Sequence, residues 1–187
     1  MIKLSIAILC GGKSSRFGKD KSLFEYGGKK LYRYAYDTLS PLTDDIFVQC
    51  GKKSESLYDV ATNNDDYLDM GPIGGIYSAL KRAKYDRTLV VGCDMPYITE
   101  RFARYLASSK GDIIVPKWNN GYYEPLCAIY SSALKPVLEY NIVSGDLRIS
   151  SLFSKIKLKE IKIESLIEQG IINDSMFKNI NRPQDVD

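Results

Sequence analysis

An apolar run over residues 4–10 gives way to Gly11-Gly12-Lys13-Ser14-Ser15-Arg16-Phe17-Gly18-Lys19-Asp20-Lys21. Paired glycines let backbone N–H groups close on a ligand, and the cations that follow turn that donor surface into an anion site. A triphosphate is the anion such a loop suits. Leu9, Cys10, Gly11, Gly12, Lys13 and Ser14 are the nucleotide-binding candidates here, and Arg16 and Lys21 the cations that would act on the phosphates. The spacing is not that of a P-loop, which needs Gly, four residues, then Gly-Lys-Ser/Thr. Five residues separate Gly12 from Gly18, Asp20 follows Lys19, and a motif ending on Gly12-Lys13-Ser14 would need glycine at Ala7. Nor is it the dinucleotide fingerprint Gly-x-Gly-x-x-Gly, because Gly11 and Gly12 are adjacent.

A second chemical element is Thr88-Leu89-Val90-Val91-Gly92-Cys93-Asp94-Met95-Pro96, an apolar strand that ends in a carboxylate. Pro96 keeps Met95 out of helical geometry and stiffens the turn. Asp94 alone would read as a turn residue. Beside a triphosphate loop it reads as a ligand for Mg²⁺, which takes one or two protein oxygens and completes its octahedron with phosphates and water. Between the two elements stands Asp69-Met70-Gly71-Pro72-Ile73-Gly74-Gly75-Ile76. Two glycines inside a helix start weaken the helix. Either a flat ligand packs on Gly71, Pro72 and Gly75, or the glycines serve close helix–sheet packing.

The chain has 187 residues, a net charge of +3 and no histidine. That excludes a His general base, a Ser-His-Asp triad and His-ligated zinc, and leaves carboxylates, Lys, Arg, backbone amides or a bound metal. The mild charge, with no long basic run or arm, argues against a nucleic-acid partner. Lys-rich residues 155–162 alternate with apolar ones and read as a solvated face. Cys10, Cys50, Cys93 and Cys127 make no CxxC and each lies in an apolar stretch, so they read as buried thiols. No signal peptide or spanning segment is apparent, and a cytoplasmic protein with no membrane partner is expected.

To position these residues the chain must alternate strands and helices. Strands are predicted over 4–10, 46–50, 88–93, 112–115, 126–130 and 158–163. Leu31, Tyr34, Ala35, Thr38 and Leu39 fall on one helical face, as do Ile73, Ile76, Tyr77 and Leu80. Thr99 caps a helix carrying Phe102, Ala103 and Leu106. Further helices are predicted over 133–140 and 149–153, with Pro183 opening a short terminal one. The fold class is α/β, three layers around a mostly parallel sheet, in one domain over residues 1–187. In such sheets ligands bind at the carboxyl ends of the strands, so the loops after Cys10, Cys50, Cys93 and Val115 should share a rim.

The motifs resemble those of the GT-A-like, Rossmann-like nucleotidyltransferases, and most closely the molybdenum cofactor guanylyltransferases. That family opens Leu-Ala-Gly-Gly-x-Ser-x-Arg-Met-Gly-x-Asp-Lys, which Leu9 to Lys21 matches with Cys10 and Phe17 as modest changes. It carries Cys-Asp-Met-Pro, matched at all four positions by Cys93 to Pro96, with the aspartate on the metal. Its Gly-Pro-Leu-Ala-Gly lines the nucleotide and is matched by Gly71, Pro72 and Gly75, and its tail Phe-x-Asn-x-Asn-Thr-Pro-Glu-Asp resembles residues 177–185, with Arg182 in place of Thr. The resemblance implies transfer of GMP from GTP to the terminal phosphate of molybdopterin, giving molybdopterin guanine dinucleotide and pyrophosphate. Mg²⁺ is the implied cofactor; GTP, molybdopterin and cofactor-biosynthesis proteins or molybdoenzymes are the implied partners. Since the attacking phosphate is already an anion, no general base is required.

The resemblance also places a carboxylate, Asp65 or Asp66, where it accepts the guanine N1 and N2 protons. Paired glycine at 11 and 12 leans toward a guanine nucleotide. One departure concerns the second strand, which in the family often ends with an asparagine near the base and here ends Val48-Gln49-Cys50-Gly51; Gln49 or the backbone substitutes. On the acceptor side, Tyr122-Tyr123-Glu124-Pro125-Leu126-Cys127-Ala128-Ile129-Tyr130 is similar to the family's Glu-Pro-Leu-Cys-Ala-Leu-Tyr. Trp118, Tyr122 and Tyr123 either stack on a pterin or cover a sheet edge. Asn179 and Asn181 alternate, so their amides either read the pterin edge together or form turns. Arg148, in Gly145-Asp146-Leu147-Arg148, is a loosely matched acceptor candidate. Two other readings remain: a CTP- or sugar-phosphate-specific nucleotidyltransferase, or a non-catalytic nucleotide-binding adaptor.

Overall fold

The computed structural model describes residues 1–11, 21–51 and 57–180. Strand β1 (Ser5–Cys10) leads through the small hairpin β2 (Glu25–Tyr26) and β3 (Lys29–Lys30) to helix α1 (Leu31–Leu39). β4 (Ile46–Cys50) and β5 (Thr62–Asn64) precede α2 (Gly71–Arg82), then β6 (Arg87–Gly92) and α3 (Glu100–Ser108). β7 (Ile113–Lys117), β8 (Cys127–Ser131), α4 (Lys135–Ser144), β9 (Leu158–Lys162) and α5 (Ile163–Glu168) follow.

Seven strands form one sheet in the order β5-β4-β1-β6-β8-β7-β9. All its pairings are parallel except those of β8, which runs against both β6 and β7. The central strands are apolar on both faces because both are covered, as parallel sheets require. On one face Ile6, Ile8, Val48, Leu89 and Val91 meet Ala35 and Leu39 of α1, Phe102 and Leu106 of α3, and Leu166 of α5. On the other, Val90, Val115 and Tyr130 meet Ile73, Ile76 and Leu80 of α2 and Leu138 and Ile142 of α4. These are the three expected layers. Each fully buried Leu, Ile, Val or Phe contributes about 1.5–3 kcal/mol, which is what holds the rim loops in place.

The elements depart from expectation where polarity or tertiary contacts override pattern. β5 is Thr-Asn-Asn, too polar to announce itself. The β2–β3 hairpin turns on Gly27 and Gly28, both at positive φ, the geometry a two-residue hairpin needs. In α1 it is Tyr32, not Tyr34, that is buried. Its hydroxyl bonds Asp59 and its ring meets Tyr58 edge-on at 4.9 Å. The helix predicted over 133–140 is α4, displaced toward the C-terminus behind a 3₁₀ turn, and residues 149–155 form a 3₁₀ segment rather than an α-helix. Ile163 opens α5 instead of ending β9. Thr99 caps α3 as expected, its Oγ1 accepting from the Phe102 N–H at 3.2 Å. The terminal helix expected at Pro183 lies outside the described residues. All four cysteines are buried and none is in a disulfide. Among the described residues no helix is long and apolar enough to cross a membrane.

β1 is flanked by β4 on one side and β6 on the other. The chain builds outward through β4 and β5, then crosses over β1 to start β6. This is the switch point at which open α/β sheets leave a crevice. Cys10 pairs with Cys50 and Leu9 with Gly92, so the loops after β1, β4 and β6 emerge side by side.

Candidate active site

Asp94 sits one turn beyond β6, in a turn closed by Met95 N–H to Gly92 O at 3.2 Å. Its carboxylate folds back over Gly92: a Cβ at residue 92 would lie 2.6 Å from Asp94 Oδ1. A side chain at 92 would push that carboxylate out of its place, so Gly92 belongs with the site, and its signal in the sequence is a glycine at the end of an otherwise apolar strand. Lys21, at the end of the first loop, places Nζ 2.8 Å from Asp94 Oδ2, with the two side chains 15% and 23% exposed. Two of the three proposed catalytic groups are therefore in contact across 73 residues of sequence. The third, Arg16, lies outside the described residues, as do Gly12, Lys13 and Ser14.

Glu124, to which the sequence attached no role, joins them. Burial pushes its carboxyl pKa up, the charge of nearby Asp94 adds to that, and a hydrogen bond from Trp118 opposes it. Trp118 Nε1–H donates to Glu124 Oε1 at 2.8 Å while its ring meets Phe177 edge-on at 5.6 Å. Trp118 is thus packed on the sheet and holds Glu124. Tyr123 is also engaged, with its hydroxyl on Glu160 and its ring 4.7 Å from Phe153. Of the three aromatics only Tyr122, 73% exposed, presents a bare face.

The other flank of the crevice is polar. The backbones of Gly11 and Gly51 run close together: a Cβ on Gly11 would be 3.5 Å from Gly51 N and 3.9 Å from Asp65 Oδ2. Asp65 follows β5, its N–H donating to Cys50 O at 2.9 Å. Its carboxylate takes the Gln49 Nε2–H at 2.6 Å, and Gln49 is 1% exposed. Desolvation pushes the Asp65 pKa up; the Gln49 bond opposes this and the charge of Asp66 reinforces it. Asp66 turns away to Lys81, 2.9 Å off. Gln49 therefore stands where the asparagine was expected and serves the carboxylate.

Gly71 starts α2 at φ +64, with Pro72 after it. The two glycines that follow differ in surroundings. A Cβ on Gly74 would meet Tyr67 O at 2.8 Å, whereas one on Gly75 would meet Leu9 Cδ2 at 3.4 Å and Asp65 Oδ1 at 3.7 Å. Gly74 is a packing glycine and Gly75 faces the crevice. On the acceptor side, Ile180 N–H donates to Asp94 O at 3.1 Å, which ties the tail to the Asp94 turn and puts exposed Asn179 next to it. Asn181 lies outside the described residues. Arg148 is an exposed side chain whose Nε lies 3.1 Å from Asp146.

The donor set suits a magnesium ion that arrives with phosphates. Asp94 already takes a cation, the Lys21 ammonium, and Glu124 offers a second carboxylate nearby. Among the described residues no group of three or more His, Cys, Asp or Glu could cage a metal. One or two carboxylates with phosphates and waters is the way Mg²⁺ is usually held.

A model of the MobA-like NTP transferase domain matches residues 6–160. The "Probable molybdenum cofactor guanylyltransferase" of Pyrococcus horikoshii is 36% identical over 197 aligned residues, covering 99% of this chain and 98% of that protein. A protein of the same description from Thermococcus gammatolerans is 36% identical, covering 96% and 95%. Among solved structures, the molybdopterin-guanine dinucleotide biosynthesis protein A of Archaeoglobus fulgidus is similar at 26% identity and a TM-score of 0.80, over 97% of this chain and 94% of that one.

Proposed function

We propose the reaction that follows from one fact: the chain belongs to the molybdenum cofactor guanylyltransferase family and is a nucleotidyltransferase. It transfers GMP from GTP to the terminal phosphate of molybdopterin. A phosphate oxygen of the acceptor attacks the α-phosphorus of GTP, the bond from that phosphorus to the bridging oxygen breaks, and pyrophosphate leaves with the electron pair. The observation that carries this reading is the Lys21–Asp94 pair at the switch point, where β6 runs beside β1.

The described residues take roles that their surroundings support, and the resemblance supplies those of Arg16, residues 12–14 and Asn181. Asp94, with Glu124 near it, would hold Mg²⁺, which when bound lends positive charge to the phosphate oxygens. Lys21 offsets charge on the leaving pyrophosphate, and Arg16 with the amides of residues 11–14 holds the β- and γ-phosphates. Catalysis is then positioning and charge stabilisation, with no proton to remove from an acceptor that is already ionised. Asp65, not Asp66, reads the base, because it faces the crevice while Asp66 is committed to Lys81. Guanine offers two adjacent donors, N1–H and N2–H, which match the two oxygens of one carboxylate; cytosine offers a donor beside an acceptor and does not. Gly71, Pro72, Gly75 and Leu9 form the wall against the nucleotide. Asn179, kept beside the Asp94 turn by the bond from Ile180 N–H to Asp94 O, meets the pterin together with Asn181.

The test is incubation with molybdopterin, Mg²⁺ and each of GTP, CTP, UTP and ATP in turn, followed by mass spectrometry. Molybdopterin guanine dinucleotide and pyrophosphate from GTP alone is the expected result. Product from CTP in place of GTP would overturn the base reading, and no product from any nucleotide would overturn the reaction.

A further inference from the structure

Three side chains and one backbone carbonyl form a directed chain beneath the crevice. Asn63 Nδ2 donates to Gln49 Oε1 at 2.7 Å, and Gln49 Nε2 donates to Asp65 Oδ1 at 2.6 Å. Asn63 Nδ2 also donates, over a longer 3.5 Å, to the backbone carbonyl of Ser78 in α2. A primary amide can be turned either way, so its polarity has to be set by a neighbour that can only accept or only donate. The Ser78 carbonyl only accepts, which turns the Asn63 NH₂ inward. That NH₂ in turn meets the Gln49 oxygen, and the Gln49 NH₂ is left to face Asp65. An ionised carboxylate only accepts as well, so both ends of the chain demand the same orientation.

Ser78 anchors the arrangement a second time. Its Oγ accepts the Asp66 N–H at 2.8 Å and donates to Gly74 O at 2.9 Å, and the residue is fully buried. The second turn of α2 therefore holds both the loop that carries Asp65 and the amide that starts the chain. Gln49 is buried, so an amide turned the wrong way would set its oxygen against a carboxylate with no water to intervene, which is costly.

We propose that Asn63 and Gln49 are positioning residues for base selection: the polarity set at the Ser78 carbonyl passes through both amides and fixes Asp65 in the orientation that receives guanine. This rests on the reading that Asp65 contacts the base. Neither amide touches the nucleotide in this scheme. What they control is the direction and ionisation of the group that does.

The test is titration calorimetry with Mg²⁺ and two probes, GTP and inorganic tripolyphosphate, the second of which reports only the phosphate site. Asn63→Asp replaces the donor that sets the relay with an acceptor, and should weaken GTP at least tenfold while leaving tripolyphosphate within about twofold. Gln49→Met keeps the volume and removes the donor to Asp65 without burying a new charge; it should give the same split, and decides the matter should Asn63→Asp fail to fold. Equal losses for both probes, or GTP affinity kept in either folded variant, would overturn the relay. Asp65→Ala separates the two claims. Unchanged GTP affinity in that variant removes the base reading itself; a loss there with none in the folded relay variants removes only the relay.

Discussion

Gly74 and Gly75 are neighbours in one helix, yet the structure assigns them opposite constraints, and a single methyl group tests this. On Gly74 the added Cβ would lie 2.8 Å from Tyr67 O and 3.2 Å from Met70 Cβ. The first of these atoms belongs to a backbone and cannot rotate away, so the 67–70 loop has to move. Overpacking of this kind costs about 1–3 kcal/mol, against which alanine recovers about 0.5–1 kcal/mol of helix propensity. The net loss for Gly74→Ala is about 1–2 kcal/mol, or about 2–8 °C in Tm for a chain of this size. On Gly75 the methyl would meet the end of the Leu9 side chain at 3.4 Å, which can shift. Gly75→Ala should hold or raise Tm by the propensity term, about 0.5–1 kcal/mol, while placing a methyl group on the nucleotide wall and weakening GTP. Differential scanning calorimetry and nucleotide titration on both variants read the contrast. A Gly74→Ala protein as stable as wild type, or a Gly75→Ala protein that loses stability but keeps full GTP affinity, would refute the assignment.

Three further outcomes follow from contacts elsewhere. Asp45 is 6% exposed; burial works against its ionisation, but hydrogen bonds from Ser5, the Lys84 N–H and Arg82 outweigh it and hold its pKa below the ordinary value. A carboxyl depressed in the folded state contributes stability that is full above the unfolded pKa, about 3.9, and is lost as pH falls through the folded value. Urea midpoints between pH 7 and pH 2 should therefore fall more steeply below pH 4 in wild type than in Asp45→Asn, which should already be about 1–3 kcal/mol less stable at pH 7. Lys21→Ala should lower the rate of dinucleotide formation about 10²–10³-fold with Tm unchanged, and near-wild-type turnover would remove Lys21 from the mechanism. Thr99→Ala, which deletes the α3 cap, should cost about 1 kcal/mol, a drop of about 2–4 °C by thermal melt.

The centre of the sheet was legible because β1, β4 and β6 are largely apolar runs that end at or just before a glycine, and α1, α2 and α3 because their apolar residues recur at helical spacing. The position of Asp94 was legible for the same reason: a carboxylate at the end of a buried strand has one rim to occupy. What the sequence concealed depends on contacts between distant segments. Nothing local distinguishes Gly74 from Gly75; the Tyr67 carbonyl does. Asp65 and Asp66 are equivalent as residue types, and Lys81 on α2 decides which turns outward. Asn63 lies in a strand too polar to be recognised, and Gln49 stood out only as a departure from a pattern, so their shared role needed the register of β4 against β5. Trp118, read as either stacking on a pterin or covering a sheet edge, packs on Phe177 because the tail returns to it.

The central claim is that Asp94 anchors the magnesium of a bound nucleoside triphosphate. GTP titrations with and without Mg²⁺, on wild type and Asp94→Asn, test it most directly. Magnesium should tighten GTP at least tenfold in wild type, and Asp94→Asn should lose that dependence while still binding metal-free GTP as wild type does. An Asp94→Asn protein that responds to magnesium as fully as wild type would contradict the account.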